Sequence, residues 1–286
     1  MVRWTLPATR LWRFEFFVIG VLATFGLLAA AGGANAQSPG AFFRERQLSG
    51  AIVMQDVRTR AVVVSASAGQ DVNAPVLPLS TTKLFIAASF LEHELGDLDA
   101  DSLIVHGIDN TGRKIALELR HRLGSKLQLA DIARFGFARC GRPPCVSLSS
   151  DTPDEEWADT MSVGEQRITV TLLQLSRFLR AVGTGGDGLM SRKVAQTLQS
   201  ALLDTVEKNG TAHGILGRVG KGWRIGGKTG SGPGTEHPTD GIFAGLVFDS
   251  HGAARYTVVT YVRHGGPGGG AAADISADVA RSIVRR

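Results

Sequence analysis

The chain has 286 residues, 43% of them hydrophobic; that is enough for one substantial core and too polar for a multi-span membrane protein. The formal net charge is +5, but the first 36 residues hold three arginines and one glutamate, so the remainder is near +3 with its basic residues dispersed. An isoelectric point of 9.6 is therefore no footprint for nucleic acid, and the scattered histidines have no H-E-x-x-H or similar spacing that would hold a metal.

Arg3, Arg10 and Arg13 precede an apolar run from Phe16 to Ala31, and Ala34-Asn35-Ala36-Gln37 follows. This is the order of a secretory signal peptide, with cleavage expected after Ala36. The alternative is an uncleaved anchor over residues 16–31, in which case the membrane is met only through this segment. Either way the rest is exported, to the periplasm or cell envelope. Residues 37–286 are expected to form a single domain.

Two β-branched runs, 51–54 and 61–65, flank Asp56-Val57-Arg58-Thr59-Arg60 and predict a hairpin. A Pro-containing loop, 73–79, leads to a helix over 81–95 whose broad apolar face suits burial. Ser80 stands at the N-cap position of that helix. Further helices are predicted over 115–123, opened by Asp109-Asn110, and over 127–134. Residues 140–154 form a Pro/Ser-rich loop; its two cysteines, Cys140 and Cys145, are the only ones in the chain and predict a local disulfide in an oxidising compartment. Amphipathic helices follow over 170–182 and 193–206. Strands return at 223–226, leading into Lys228-Thr229-Gly230-Ser231-Gly232, then at 241–248 and 256–262, joined by the turn Asp249-Ser250-His251-Gly252. A helix over 274–284 ends the pattern. Strands, helices, strands and a helix predict an α+β, three-layer α/β/α fold. A mainly antiparallel five-stranded sheet would be built from both chain ends, flanked by helices, with an all-α lobe inserted at about 97–210.

Two strings carry chemistry. Ser80-Thr81-Thr82-Lys83 puts a hydroxyl and an amine one helical turn apart, so Lys83 can reach back to Ser80. Burial disfavours the ammonium form, and a neutral amine can act as general base for a serine nucleophile. The helix N-terminus also offers backbone N–H groups to a developing oxyanion. Downstream, Lys228, Thr229 and Ser231 on a predicted strand present a cation and two hydroxyls to an anionic substrate, while Gly230 and Gly232 leave the strand bare for a ligand backbone. Two decoys are set aside. Gly222 to Thr229 satisfies G-x-x-x-x-G-K-T, but Gly-Ser-Gly-Pro-Gly follows and cannot begin the helix a P-loop needs. Gly183 to Gly188 satisfies G-x-G-x-x-G, but after a helix rather than a strand.

The order S-x-x-K, then a middle asparagine element, then K-T-G resembles the penicillin-recognising acyl-serine enzymes, the penicillin-binding proteins and serine β-lactamases. The likeness is strongest to the transpeptidase domain. Ser162-Val163-Gly164-Glu165 with Ile168 to Leu175 resembles that family's "G…TPLQLA" segment, and Val206 with Asn209-Gly210-Thr211-Ala212 its "VV..GTA" segment. The resemblance covers nearly all of the chain after residue 36. It implies Ser80 as the acylated nucleophile and Lys83 as its base. Backbone amides of Ser80 and Ser231 would form the oxyanion hole, and Lys228, Thr229 and Ser231 would hold the substrate carboxylate. It implies no cofactor, with peptidoglycan stem peptides ending in D-Ala-D-Ala and β-lactams as partners.

The middle element departs from the pattern. Asn110 is the best match to the asparagine, but Ile108 stands where the family has a serine, and isoleucine cannot relay a proton to a leaving amine. Either a water, Lys83 or another hydroxyl does that job, with Ser102, Ser149, Ser150 and Ser162 as the candidate hydroxyls, or the motif lies elsewhere, or turnover is poor. The expected activity is that of a D,D-transpeptidase or carboxypeptidase. A serine β-lactamase and a catalytically impaired peptidoglycan or penicillin binder are the alternatives. A lactamase needs a base that positions water, a role the resemblance does not give Glu165.

Overall fold

The computed structural model describes residues 38–137, 143–232 and 239–285. The expected signal peptide, the possible anchor over 16–31 and Cys140 lie outside the described residues; Cys145 is disulfide-bonded. In chain order the elements are α1 (Ala41–Arg44), β1 (Ser49–Asp56), β2 (Val62–Ala68), a 3-10 turn (Leu79–Thr82), α2 (Lys83–Glu92) and a π-turn (Asp101–Val105). Helices α3 (Asp109–Leu123), α4 (Ser125–Arg134), α5 (Asp154–Ser162), α6 (Leu172–Gly183) and α7 (Arg192–Glu207) follow. Strands β3 (Arg224–Ser231), β4 (Gly241–Phe248) and β5 (Ala254–Arg263) and helix α8 (Ala271–Val284) complete the order.

The five strands form one sheet in the order β2-β1-β5-β4-β3, and each neighbouring pair is antiparallel. The first two strands come from one end of the chain and the last three from the other, as expected. Side chains alternate between two cores, as the period of a strand requires. On β1, Ala51 and Val53 join the core shared with α2, α3, α4, α6 and α7. Ile52 and Met54 join the opposite core with α1 and α8. On β4, Ala244, Leu246 and Phe248 take the first face, Phe243 and Val247 the second. A sheet covered on both faces is why β4 is buried at every position and reads as an unbroken apolar run.

Local chemistry sets the element ends. Asp56 accepts the Thr59 N–H at 2.7 Å, which closes the β1–β2 turn. Thr171 and Gln174 form a reciprocal capping box at the start of α6. Element ends shift by a few residues throughout, and three differences from expectation bear on the site. Helix α5 falls where the predicted loop gives way to the "G…TPLQLA" stretch. Asp154, Glu155 and Glu156 occupy its first turn, where carboxylates suit the helix N-terminus, and the buried Trp157 donates its indole N–H to Gln128 at 2.7 Å. Helix α3 begins at Asp109 rather than 115, so Asp109 and Asn110 are its first residues and not its preface. Ser80 lies inside the 3-10 turn; the N-cap position of α2 falls on Thr82, which makes no side-chain cap bond.

Candidate active site

The half-buried Ser80 stands in the 3-10 turn that feeds α2. One turn on, Lys83 is fully buried, and its Nζ lies 2.9 Å from Ser80 Oγ. The same amine donates to Asp109 Oδ1 at 2.6 Å. Burial pushes the Lys83 amine below the ordinary lysine range; the Asp109 carboxylate opposes that and the Arg113 charge adds to it.

The turn is locked between two backbones. Leu79, immediately before Ser80, has φ of 53°, a left-handed conformation that costs a non-glycine residue energy and persists only where the surroundings enforce it. Its N–H bonds to Gly164 O at 3.1 Å. Gly164 itself has φ of 76°, and a Cβ there would lie 2.1 Å from Leu79 O, so only glycine permits the approach. From the other side comes β3: a Cβ at Gly230 would sit 3.1 Å from Ser80 N. The bare strand therefore lies directly against the serine backbone.

Lys228, on the same strand, is 1% exposed, and its Nζ donates to Thr229 O at 2.9 Å. Burial, with the Lys83 charge second, lowers its pKa from 10.5 to about 7, against the pull of Asp109. Its Nζ would lie 3.0 Å from a Cβ at Gly107, two residues before Asp109. Thr229 Oγ1 is 2.7 Å from Thr211 Oγ1. The exposed Ser231 accepts the Gly268 N–H at 3.1 Å, which leaves its hydroxyl hydrogen free to be donated outward.

Ser80, Lys83 and Lys228 thus gather at one place, with Thr229 and Ser231 along the adjoining edge. Asn110 does not join them. It is exposed on the first turn of α3, and its neighbour Asp109 is the residue that meets Lys83. Two places before Asp109 stands Gly107, where a Cβ would lie 3.0 Å from Lys228 Nζ. The element between the two lysines is therefore Gly107-Ile108-Asp109, one residue earlier than the expected Ile108-Asp109-Asn110. It carries no hydroxyl.

The possible serine substitutes do not fill that gap. Ser162 comes nearest, since a Cβ on Gly112 would touch both Ser162 Cβ and Lys83 Cε. Its hydroxyl, however, is bonded to Ala158 O at 2.7 Å. Ser149 and Ser150 bond near the start of α5, to Thr152 and Asp151, and Ser102 lies in the π-turn. Glu165, next to Gly164, has its pKa raised by burial and by the Asp109 and Asp159 charges, with Arg113 opposing. No signal in the sequence singled out Asp109 or Gly107. Among the described residues no cluster of ligands could hold a metal ion.

A three-layer domain with a serine and two buried lysines at the edge of its sheet defines the transpeptidase-like class. The family model for the penicillin binding protein transpeptidase domain matches residues 146–285, from just before α5 through α8. Members are, in general, cell-envelope serine acyl-enzymes that bind peptidoglycan stems and β-lactams. No curated protein matches the chain in sequence. Among solved structures, the D,D-transpeptidase domain of a peptidoglycan glycosyltransferase from Eggerthella lenta is similar at a TM-score of 0.69 and 16% identity, over 87% of this chain and 81% of that one. The transpeptidase domain of the FtsI4 D,D-transpeptidase from Legionella pneumophila is similar at a TM-score of 0.68 and 19% identity, over 86% and 93%. The transpeptidase domain of Burkholderia pseudomallei penicillin-binding protein 3 follows at 0.66 and 19%, over 86% and 89%. At these identities the likeness is one of fold.

Proposed function

We propose that this chain is a penicillin-binding acyl-serine enzyme of the D,D-transpeptidase or carboxypeptidase type. It would act on D-Ala-D-Ala stem peptides and be acylated by β-lactams. The observation that carries the reading is the 2.9 Å contact between a half-buried serine hydroxyl and a fully buried lysine amine. An amine that burial discourages from holding its proton is a competent base at the pH of the cell envelope.

Ser80 Oγ attacks the carbonyl carbon of the penultimate D-alanine as its proton passes to Lys83 Nζ. The carbonyl electron pair moves onto oxygen, which the Ser80 and Ser231 backbone N–H groups receive. Collapse breaks the C–N bond, and the proton held by Lys83 leaves with the terminal D-alanine nitrogen. With no hydroxyl at Gly107, that return runs from a lysine directly or through water. Lys228, Thr229 and Ser231 bind the terminal carboxylate, the charge-assisted contacts among them being the strongest. We propose further that residues 1–36 direct export. Among the described residues no helix is long and apolar enough to cross a membrane.

A second reading, hydrolysis of the acyl-enzyme as in a β-lactamase, has one observation in its favour. Glu165 is a carboxyl whose raised pKa suits a base for water, and its backbone neighbour Gly164 supports the Ser80 turn. Incubation with a fluorescent penicillin separates the readings. Stable labelling lost in Ser80→Ala supports the transpeptidase type, whereas rapid release of hydrolysed drug supports the lactamase. No labelling of the folded protein refutes both. Lys83→Ala should slow labelling about 10²- to 10⁴-fold, the range for loss of a positioned base.

A further inference from the structure

The least expected contact in the molecule is the Asp109 carboxylate on the Lys83 amine, 2.6 Å away, with Lys83 fully buried and the Asp109 side chain 50% exposed. Asp109 is held there by the fold. It is the first residue of α3, which packs on α2 and α5. Gly112 lets α3 approach closely, since a Cβ there would sit 3.1 Å from Lys83 Cε.

We propose that Asp109 is a positioning residue of acyl transfer: its carboxylate orients the Lys83 amine toward Ser80 and stabilises the ammonium that forms when Ser80 gives up its proton. The inference rests on the acyl-serine reading above and deepens it. The arrangement is a Ser–Lys–Asp relay in which aspartate plays the part that the buried acid plays toward histidine in a serine-protease triad. The proton moves from Ser80 Oγ to Lys83 Nζ as the Oγ–carbon bond forms. Asp109 accepts a hydrogen bond throughout and takes no proton. When the C–N bond breaks, Lys83 returns the proton to the leaving nitrogen.

A carboxylate has a cost that a neutral amide would lack. It also stabilises Lys83 as an ammonium before reaction, so a smaller fraction of the free protein holds the basic amine at neutral pH. The other charges facing this pair are Arg113, on the same helix, Lys228 from β3, and Glu165 and Asp159 beyond Asp109. Arg113 is itself paired to Asp159 at 2.5 Å. The positive neighbours, Arg113 and Lys228, oppose the ammonium. Among the described residues Asp109 is the one carboxylate in direct contact with it, so its removal is the change to make.

The test is the acylation rate of the full chain by a fluorescent penicillin, followed from mildly acidic to strongly alkaline pH, for the unsubstituted protein, Asp109→Asn and Asp109→Ser. With Asn the rise in rate with pH should shift to lower pH. At neutral pH the variant should be roughly 3- to 5-fold faster, the size expected of a half-exposed ion pair. On the alkaline plateau, where Lys83 is neutral in both, it should be slower, because the amine is a weaker base and its ammonium is unsupported. Asp109→Ser, which keeps a small polar residue at the exposed first position of α3, should give the same crossing profiles. A purely structural role lowers the rate at every pH without moving the profile. Superimposable or uniformly lowered profiles in folded variants overturn the inference and leave the acyl-serine reading standing; an unsubstituted protein that never labels overturns both.

Discussion

Lys228 gives the sharpest test of the site's electrostatics, through stability rather than activity. Its amine is buried, with a pKa lowered from 10.5 to about 7. Below pH 7 the amine is protonated in both folded and unfolded chains, so the folded protein carries the full cost of a buried ammonium. Between about 7 and 10.5 the unfolded chain binds the proton and the folded one does not, so stability rises with pH. Above 10.5 the amine is neutral in both states and the cost is gone. The distance from 10.5 to about 7 corresponds to roughly 5 kcal/mol at ~1.36 kcal/mol per pH unit. Lys228→Met keeps the length of the side chain and removes the charge. It also removes the donor to Thr229 O, a loss of about 1–2 kcal/mol. At mildly acidic pH the variant should therefore be more stable than the unsubstituted protein by about 3–4 kcal/mol. That advantage should shrink through the window and reverse slightly above pH 10.5. Denaturant unfolding of both proteins at the two ends of the window measures the difference, in which other titrating groups largely cancel. A difference that stays constant with pH, or that grows toward alkaline pH, refutes the assignment of Lys228 as an amine whose charged form burial disfavours. Acylation should be impaired in the same variant, the usual exchange of function for stability at a site.

Other expectations concern the frame around the serine. Gly164→Ala places a methyl 2.1 Å from Leu79 O at a residue with φ of 76°; it should cost about 2–4 kcal/mol in denaturant unfolding and slow acylation by disturbing the turn before Ser80. Phe178 packs against Phe85, Phe135 and Phe137 and is fully buried. Phe178→Ala should lower stability by about 3–5 kcal/mol, read as a fall in Tm. If instead the melting curve is unmoved, the core beneath α2 is not what holds the site. Gly107→Ser should restore a hydroxyl near Lys228 while costing about 1–2 kcal/mol for its φ of 67°; the readout is the ratio of acylation rate to stability lost.

Most of the fold and the two lysine-bearing motifs were legible in the sequence. Ser80 and Lys83 are separated by three positions, and local geometry alone brings them together. Lys228 stands in a Gly-rich run that has few uses other than a bare strand edge, and β3 confirms that placement. The middle element was not legible. Which first-turn residue of α3 meets Lys83 depends on where that helix begins, and the polar run Asp109 to Lys114 hides a start six residues before the apolar pattern. Asp109, not Asn110, therefore faces the amine. The approach of Gly107 to Lys228 is a tertiary contact between segments over 100 residues apart, and no local pattern encodes it. Helix α5 was obscured for a related reason. Its signal is the Asp-Glu-Glu of a helix start after Pro153, and it lies just beyond a loop rich in proline and serine. Ser231 is tied to Gly268, in the segment of six glycines and prolines from 265 to 270, which gives no periodic signal.

The most direct test is intact-protein and peptide mass spectrometry after incubation with benzylpenicillin. The account expects a mass increase equal to the whole drug, carried by the peptide that contains residue 80 and absent in Ser80→Ala. Unmodified protein, or an adduct on another peptide, would contradict it.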